Sequence, residues 1–163
     1  MMTAAAVPGS FDPITKGHRD IISRASRIFD KVYVLVMTNT NKKGLFTPAE
    51  RVELAQNDLA DIKNVQVLSY EGKLTVDVLQ NLGVHVIIRG VRNTQDYIFE
   101  EQMASMNKQL DPNIETLFMP ASAQYRSISS SMIKEIIRFK GQLPSLVSNN
   151  VAAAIRKKYE KEK

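Results

Sequence analysis

An α/β fold is what this sequence predicts: a single-domain, Rossmann-like, doubly wound parallel sheet of five strands, with helices on both faces and a C-terminal helix. Three observations carry the prediction. Short β-rich runs alternate with helical patterns along all 163 residues. Two of those runs, 32–37 (VYVLVM) and 84–88 (VHVII), are apolar almost throughout, as expected of strands covered on both faces. Helix-start signals follow the strands at short intervals, leaving strand-to-helix loops of the kind that carry ligands in open parallel sheets.

The elements can be taken in order. Residues 3–8 read as a buried first strand, and 18–29 as a helix with Ile21, Ile22, Ala25, Ile28 and Phe29 on one face. After the 32–37 strand and a polar loop, Thr47-Pro48-Ala49-Glu50 supplies a cap, a proline at the first helical position and a glutamate three residues past the cap. Strands at 65–70, 84–88 and 114–119 then alternate with helices at 74–82, 96–110 and 129–140. Beyond Gly141 and Pro144 a last helix starts at about Asn150. No linker or repeat interrupts the pattern, so residues 1–163 read as one domain.

Composition narrows the function classes. Hydrophobic residues make up 44% and charged residues 24%, which are globular values. With no cysteine, disulfides, zinc-thiolate sites and thiol catalysis are excluded. The N-terminal residues lack a basic, then apolar, leader pattern, and no run approaches the ~20 apolar residues of a membrane helix, so a cytoplasmic location is expected. The net charge of +5 suits an anionic partner. Much of it lies in Arg156, Lys157, Lys158, Lys161 and Lys163, interleaved with Glu160 and Glu162, and reads as a solvated helix end complementing the helix dipole. GxxxxGK[ST] and GxGxxG are both missing, which argues against P-loop and dinucleotide sites, and no carboxylate cluster has metal-ligand spacing.

Three loops hold the chemistry. The first, PGSFDPITKGH at 8–18, leaves strand one through a Pro-Gly turn and enters a helix at about His18, where free N–H groups favour an anion and Gly17 lets a phosphate approach. A lone histidine there is ordinarily a cap or surface residue. The second, Arg89-Gly90-Val91-Arg92, places two arginines beyond the 84–88 strand, suited to bidentate phosphate binding; an isolated RxxR is ordinarily a charged loop. The third, Tyr125-Arg126-Ser127-Ile128-Ser129-Ser130-Ser131, sets hydroxyls at a helix start, where they can cap it or bind phosphate. Weaker signals are Asn41-Lys42-Lys43 after strand two and Leu74-Thr75-Val76. His85 reads as a packed strand residue, and Met103 and Met106 as core or subunit contacts.

Thr15-Lys16-Gly17-His18 resembles the (His/Thr)-x-Gly-His motif of the nucleotidyltransferase superfamily. In the setting PGSFDPITKGH, with IIRGVR and Asp96-Tyr97-Ile98-Phe99-Glu100 similar to IRGLR…DFEYE and with ISSS similar to a second ATP motif, the chain resembles the phosphopantetheine adenylyltransferase family. It departs at Tyr125-Arg126-Ser127, where Tyr-Ser-Phe or Trp-Ser-Phe is usual. The resemblance implies adenylyl transfer from ATP to 4′-phosphopantetheine, giving dephospho-coenzyme A and pyrophosphate, with Mg²⁺ carried by ATP and no metal ligands from the protein. It assigns His18 to the transferring phosphoryl group. Ser10, Lys42, Thr75 and Arg89 go to the acceptor. Ser10, Phe11, His18, Gly90, Val91, Arg92, Glu100, Tyr125, Arg126, Ser127, Ile128, Ser129, Ser130 and Ser131 go to ATP. It also implies a homohexamer and feedback inhibition by coenzyme A, with no nucleic-acid or membrane partner. The rival readings are a sister enzyme acting on nicotinate mononucleotide, a cytidylyltransferase, or, in another class, a basic RNA-binding module, for which no aromatic RNP motif is present.

Overall fold

The computed structural model describes residues 2–38, 44–139, 141–142 and 145–160. Among them the strands are β1 (Ala4–Gly9), β2 (Lys31–Thr38), β3 (Val65–Glu71), β4 (Val86–Val91) and β5 (Glu115–Pro120). The helices are α1 (Lys16–Ala25), α2 (Pro48–Asp58), α3 (Thr75–Leu82), α4 (Thr94–Leu110), α5 (Ser130–Arg138) and α6 (Asn149–Glu160), with a 3₁₀ turn at Ala123–Tyr125. Every strand pairing is parallel, in the order β3-β2-β1-β4-β5. The chain steps outward from β1 to β3, then returns across β1 to lay down β4 and β5. Strand order therefore reverses between β1 and β4, and sheets of this class bind ligands beyond the carboxyl ends at that reversal.

Burial on both faces explains why the strands read as apolar runs. Ala5 and Val7 of β1 join Val32, Val34, Val36 and Ile88 in a core closed by α1, α2, α5 and α6. Ala6, Leu35 and Ile87 point the other way, into a core with Val76, Val78 and Leu79 of α3. Each fully buried Val, Leu or Ile among them contributes roughly 1.5–3 kcal/mol relative to exposure. The capping box foreseen at α2 forms as written: the Glu50 N–H donates to Thr47 Oγ1, and the Thr47 N–H donates to Glu50 Oε2 at 2.7 Å.

Several boundaries differ from the sequence reading. Helix α1 begins at Lys16, capped by Thr15, so His18 lies in its first turn instead of opening it. It ends at Ala25, because the chain then tightens into bonds from Arg27 and Ile28 to carbonyls three residues back, leaving Ile28 exposed. Strand β4 starts later and runs further than 84–88, because β5 pairs with it through Arg89, Gly90 and Val91; these residues are strand, not loop. His85 accordingly precedes the strand and is exposed, not packed. Helix α5 ends at Arg138, short of the expected 140, with Phe139 as its cap.

Candidate active site

The site starts from a short capping motif. Thr15 is the N-cap of α1, and its Oγ1 accepts the His18 N–H. The His18 ring returns to the cap: Nδ1 accepts the Thr15 N–H at 3.0 Å and lies 3.1 Å from Thr15 Oγ1. A backbone N–H only donates, so Nδ1 carries no proton and Nε2 does. The half-buried ring has its pKa lowered to about 4, chiefly by burial, then by the positive fields of Arg89 and Arg92. Near neutral pH His18 is thus an uncharged imidazole with one oriented donor, Nε2–H. Phe11 packs edge-on against it, ring centroids 5.0 Å apart. Phe11 is buried at a φ of 45°, a left-handed conformation uncommon for a bulky residue.

The end of β4 supplies the cations. Arg89 grips Glu100 of α4 through Nε and Nη2, both at 2.6 Å, and donates from Nη1 to the Pro8 carbonyl. Arg92 grips Asp96 at 2.6 and 3.0 Å and donates to the Ile128 carbonyl at 3.0 Å. Between them, a Cβ added at Gly90 would stand 3.0 Å from Ile21 Cγ1 of α1, so the glycine lets helix and strand close on each other. Gly17 differs: a Cβ there would meet Thr15 Oγ1 at 3.5 Å and Tyr125 Cβ at 3.7 Å, which is ordinary contact. The protein alone does not require that glycine.

In the third segment the serines divide. Ser129 is the N-cap of α5, accepting the Met132 N–H at 3.0 Å, and Ser130 donates to the Pro13 carbonyl at 2.8 Å. Ser131 is exposed at the cleft.

These segments enclose a cleft of about 460 Å³ at the strand reversal. Ser10, Phe11, His18, Arg89, Gly90, Arg92, Glu100, Tyr125, Ile128, Ser129, Ser130 and Ser131 all line it. A second cavity of about 200 Å³ adjoins it and is lined by Thr75, Met37, Phe99 and Met103. Ser10, Arg89 and Glu100 belong to both walls, so they stand where the two spaces meet. Three candidates lie off both. Val91 is half-buried at the end of the β4–β5 pairing, Arg126 is exposed and donates to Ala121 O at 3.5 Å, and Ser127 is exposed beside it. Lys42 falls outside the described residues.

The sequence reading missed the group that holds the loops in register. Asp12, 3% exposed, accepts the Leu45 and Phe46 N–H groups at 2.9 Å each. Arg51 Nε lies 3.4 Å from it, also donating to the Phe46 carbonyl, while Arg51 Nη1 reaches the Ser10 carbonyl. Lys134 of α5 approaches the same carboxylate at 3.5 Å. Asp96 was missed as well, although its four-residue spacing from Arg92 was there to be read.

Known proteins match this chain over most of its length. Residues 6–136 match the cytidylyltransferase-like family. A phosphopantetheine adenylyltransferase of Clostridium kluyveri is 49% identical over 98% of this chain and 97% of its own. One of Lactobacillus gasseri is 45% identical over 96% and 95%. Among solved structures, a Vibrio parahaemolyticus protein provisionally named nicotinate-nucleotide adenylyltransferase superposes with a TM-score of 0.73 over 96% of this chain and 93% of its own. At 17% identity, that likeness speaks to the fold.

Proposed function

The chain belongs to the phosphopantetheine adenylyltransferase family, and from that premise we propose that it joins the AMP portion of ATP to 4′-phosphopantetheine. A phosphate oxygen of the acceptor attacks the α-phosphorus of ATP, the bond to the bridging oxygen of the β-phosphate breaks, and pyrophosphate leaves. The products are dephospho-coenzyme A and pyrophosphate. The observation that carries this reading is the pair of adjoining cavities at the strand reversal, with Ser10 and Arg89 at their junction and His18 in the wall of the larger one. Two anionic substrates meeting head to head need such a junction, and catalysis there is chiefly positioning and charge stabilisation.

The larger cleft takes ATP, bounded by Gly90, Arg92, Tyr125, Ile128 and Ser129–131. Phe11 is 2% exposed, so its contribution to ATP falls to the backbone. The smaller cavity takes the pantetheine arm against Thr75, with the acceptor phosphate directed to Arg89 and Ser10. The Nε2–H of His18 donates to the α-phosphoryl oxygens as charge develops there. Mg²⁺ arrives with ATP as part of the substrate. Among the described residues no group of three or more His, Asp or Glu is arranged to hold a metal, and both cleft carboxylates, Asp96 and Glu100, are occupied by arginines. A homohexamer, feedback inhibition by coenzyme A and a cytoplasmic location, where ATP is drawn, complete the proposal. No helix among the described residues is long and apolar enough to cross a membrane.

The test is pyrophosphate release from MgATP with each acceptor in turn. Release with phosphopantetheine, and little with nicotinate mononucleotide or with no acceptor, is expected; the reverse preference moves the chain to a sister activity.

A further inference from the structure

The segment that crosses from β5 to α5 is held against α1 at its start by a cluster that no local motif marks. Asp20 and Arg24 lie one helical turn apart on α1 and pair at 3.2 Å. Arg24 Nη1 also donates to the carbonyl of Pro120, the last residue of β5, at 2.8 Å. The Ser122 hydroxyl donates to the same Asp20 oxygen, Oδ2, at 2.8 Å, from 102 positions away in the chain. Between them the Ala121 N–H donates to the Val91 carbonyl at the end of β4. Consecutive residues are thus fixed, each to a different group. Ser122 opens the 3₁₀ turn Ala123–Tyr125, yet its hydroxyl makes no cap bond and goes to Asp20 instead. That turn carries Tyr125 over the first turn of α1, where a Cβ added at Gly17 would stand 3.7 Å from Tyr125 Cβ. Ala121, Tyr125 and Ile128 line the larger cleft, whereas Asp20, Arg24 and Ser122 line neither cavity.

We propose that Asp20 is a positioning residue for the nucleotide: through Ser122 and Arg24 it clasps the segment after β5 onto α1 and so sets the wall that Tyr125 and Ile128 give the larger cleft. The proposal rests on the adenylyl-transfer reading above and adds to it residues that the resemblance leaves without a role. The wall is a loop with one short 3₁₀ turn, whose few internal bonds give it little stability of its own. Held at Pro120 and Ser122, it meets the nucleotide already shaped, and less ordering is lost on binding. A hydrogen bond to a carboxylate outweighs a neutral one, and at 19% side-chain exposure water competes weakly for Asp20. The smaller cavity takes no residue from 120–131, so the clasp acts on one substrate alone. A negative charge beside an anionic ligand taken by itself disfavours binding, so replacing Ser122, which changes no charge, isolates the geometry.

The experiment compares wild type with Ser122→Ala, Asp20→Ala, the double variant and the conservative Ser122→Thr, with melting temperatures as the folding control. Calorimetry gives the Kd of a non-hydrolysable ATP analogue and, separately, of phosphopantetheine. Trypsin gives a readout independent of either ligand: Arg126 is exposed in the clasped segment but sits in a tight turn, so cleavage after it requires the segment to open. Ser122→Ala and Asp20→Ala are each expected to weaken the ATP analogue about five- to tenfold and phosphopantetheine less than about twofold. Cleavage after Arg126, followed by fragment mass, should quicken by a similar factor. The double variant should be no weaker than Asp20→Ala, because both changes remove the same contact. Ser122→Thr, which keeps the hydroxyl, should recover most of the loss. If Asp20→Ala melts below the assay temperature, the two single Ser122 variants decide alone. Folded Ser122→Ala protein that is cleaved at the wild-type rate, or binds the ATP analogue within about twofold of wild type, overturns the proposal. Equal losses for both ligands, losses that add in the double variant, or a Ser122→Thr protein as weak as Ser122→Ala overturn it too. Wild-type protein that binds the analogue but not phosphopantetheine would instead defeat the catalytic reading, and the clasp would still be judged on the nucleotide and on trypsin.

Discussion

His18 reaches the cleft with one ring nitrogen already engaged, and that limits what it can do. A general base needs an unprotonated nitrogen facing the nucleophile, but the unprotonated one, Nδ1, is turned back onto Thr15. The acceptor needs no base either: a phosphate monoester has a second pKa of about 6 and is mostly dianionic near pH 7. His18→Ala should therefore lower kcat by ~10²–10³, as for loss of an oxyanion donor, and change the acceptor Kd little. The folded pKa of about 4 lies below the ordinary value near 6.5, so the ring stays neutral as pH falls through 6.5, and Nε2–H remains a donor even when Nδ1 takes up a proton near 4. In the rate profile the acid limb should thus follow the acceptor phosphate and survive in His18→Ala at a lower absolute rate. For stability the sign is the opposite of a salt-bridged histidine: between 6.5 and 4 the unfolded chain takes up a proton that the folded one refuses, so this group weakens the fold as pH drops. An acid limb that disappears in the mutant would end the donor model, and an NMR titration placing His18 of the free protein near 6.5 would show that burial and the two arginines do not hold the ring neutral. Gly17 gives a second residue-scale test. Because an added methyl meets only ordinary contacts, Gly17→Ala should fold and gain up to ~1 kcal/mol from lost backbone freedom in the unfolded chain. It should nonetheless lose much of its turnover, because the methyl stands where a phosphate must pass. Unchanged kcat/KM in a stabilised variant would show that no ligand comes close there.

Among the elements, the loops decide the site, and Asp12 decides the loops. Its carboxylate satisfies two amides just before α2, stands beside Arg51 from α2 and meets Lys134 from α5, while Arg51 holds the Ser10 carbonyl. Asp12→Ala would strand the Arg51 guanidinium, whose side chain is 7% exposed, without its counter-charge. Breaking one side of a buried pair costs about 3–5 kcal/mol, so urea unfolding should show a loss of that order; a loss below ~1 kcal/mol would mean water replaces the carboxylate. What could be read from sequence divides along the same line. The strands and the Thr47 capping box were legible because their signals are local: alternation, apolar runs and a four-residue box. Arg89, Arg92, His18 and the serine run were legible as a motif resemblance, and the fold gathers them around one cleft. The Asp12 contacts lie 33 and 34 residues away in sequence, and no local pattern encodes them. The extension of β4 through Arg89 was hidden for a similar reason, since it depends on a partner strand formed later in the chain.

At the scale of the whole molecule, one surface does not belong to a free monomer. Phe99, Met103, Met106 and Leu110 recur at helical spacing along α4, and they are 60%, 39%, 55% and 53% exposed. Ile98 and Tyr97 are also exposed, at 51% and 46%, but lie off that face of the helix. Soluble monomers scatter such residues singly, and a contiguous set at one helix face marks a contact surface. Self-association through α4 would cover it, as the proposed homohexamer requires. The same helix walls the smaller cavity, proposed above for the acceptor, with Phe99 and Met103, so assembly and acceptor binding would share a support. Met106 lies on the patch but not in the cavity wall. Met106→Glu should therefore act on activity only through assembly. Burying a methionine contributes roughly 1.5–3 kcal/mol per copy, and a carboxylate in its place adds repulsion between copies, so light scattering should show the variant falling to smaller species at micromolar concentration. The acceptor KM should rise as α4 loses its backing, while the ATP KM should hold, because Arg92 and the Ser129–131 run are anchored within one chain. Wild-type protein that scatters as a monomer at the same concentration would remove the premise. A Met106→Glu protein that keeps the wild-type mass would place the contact on some other face than α4.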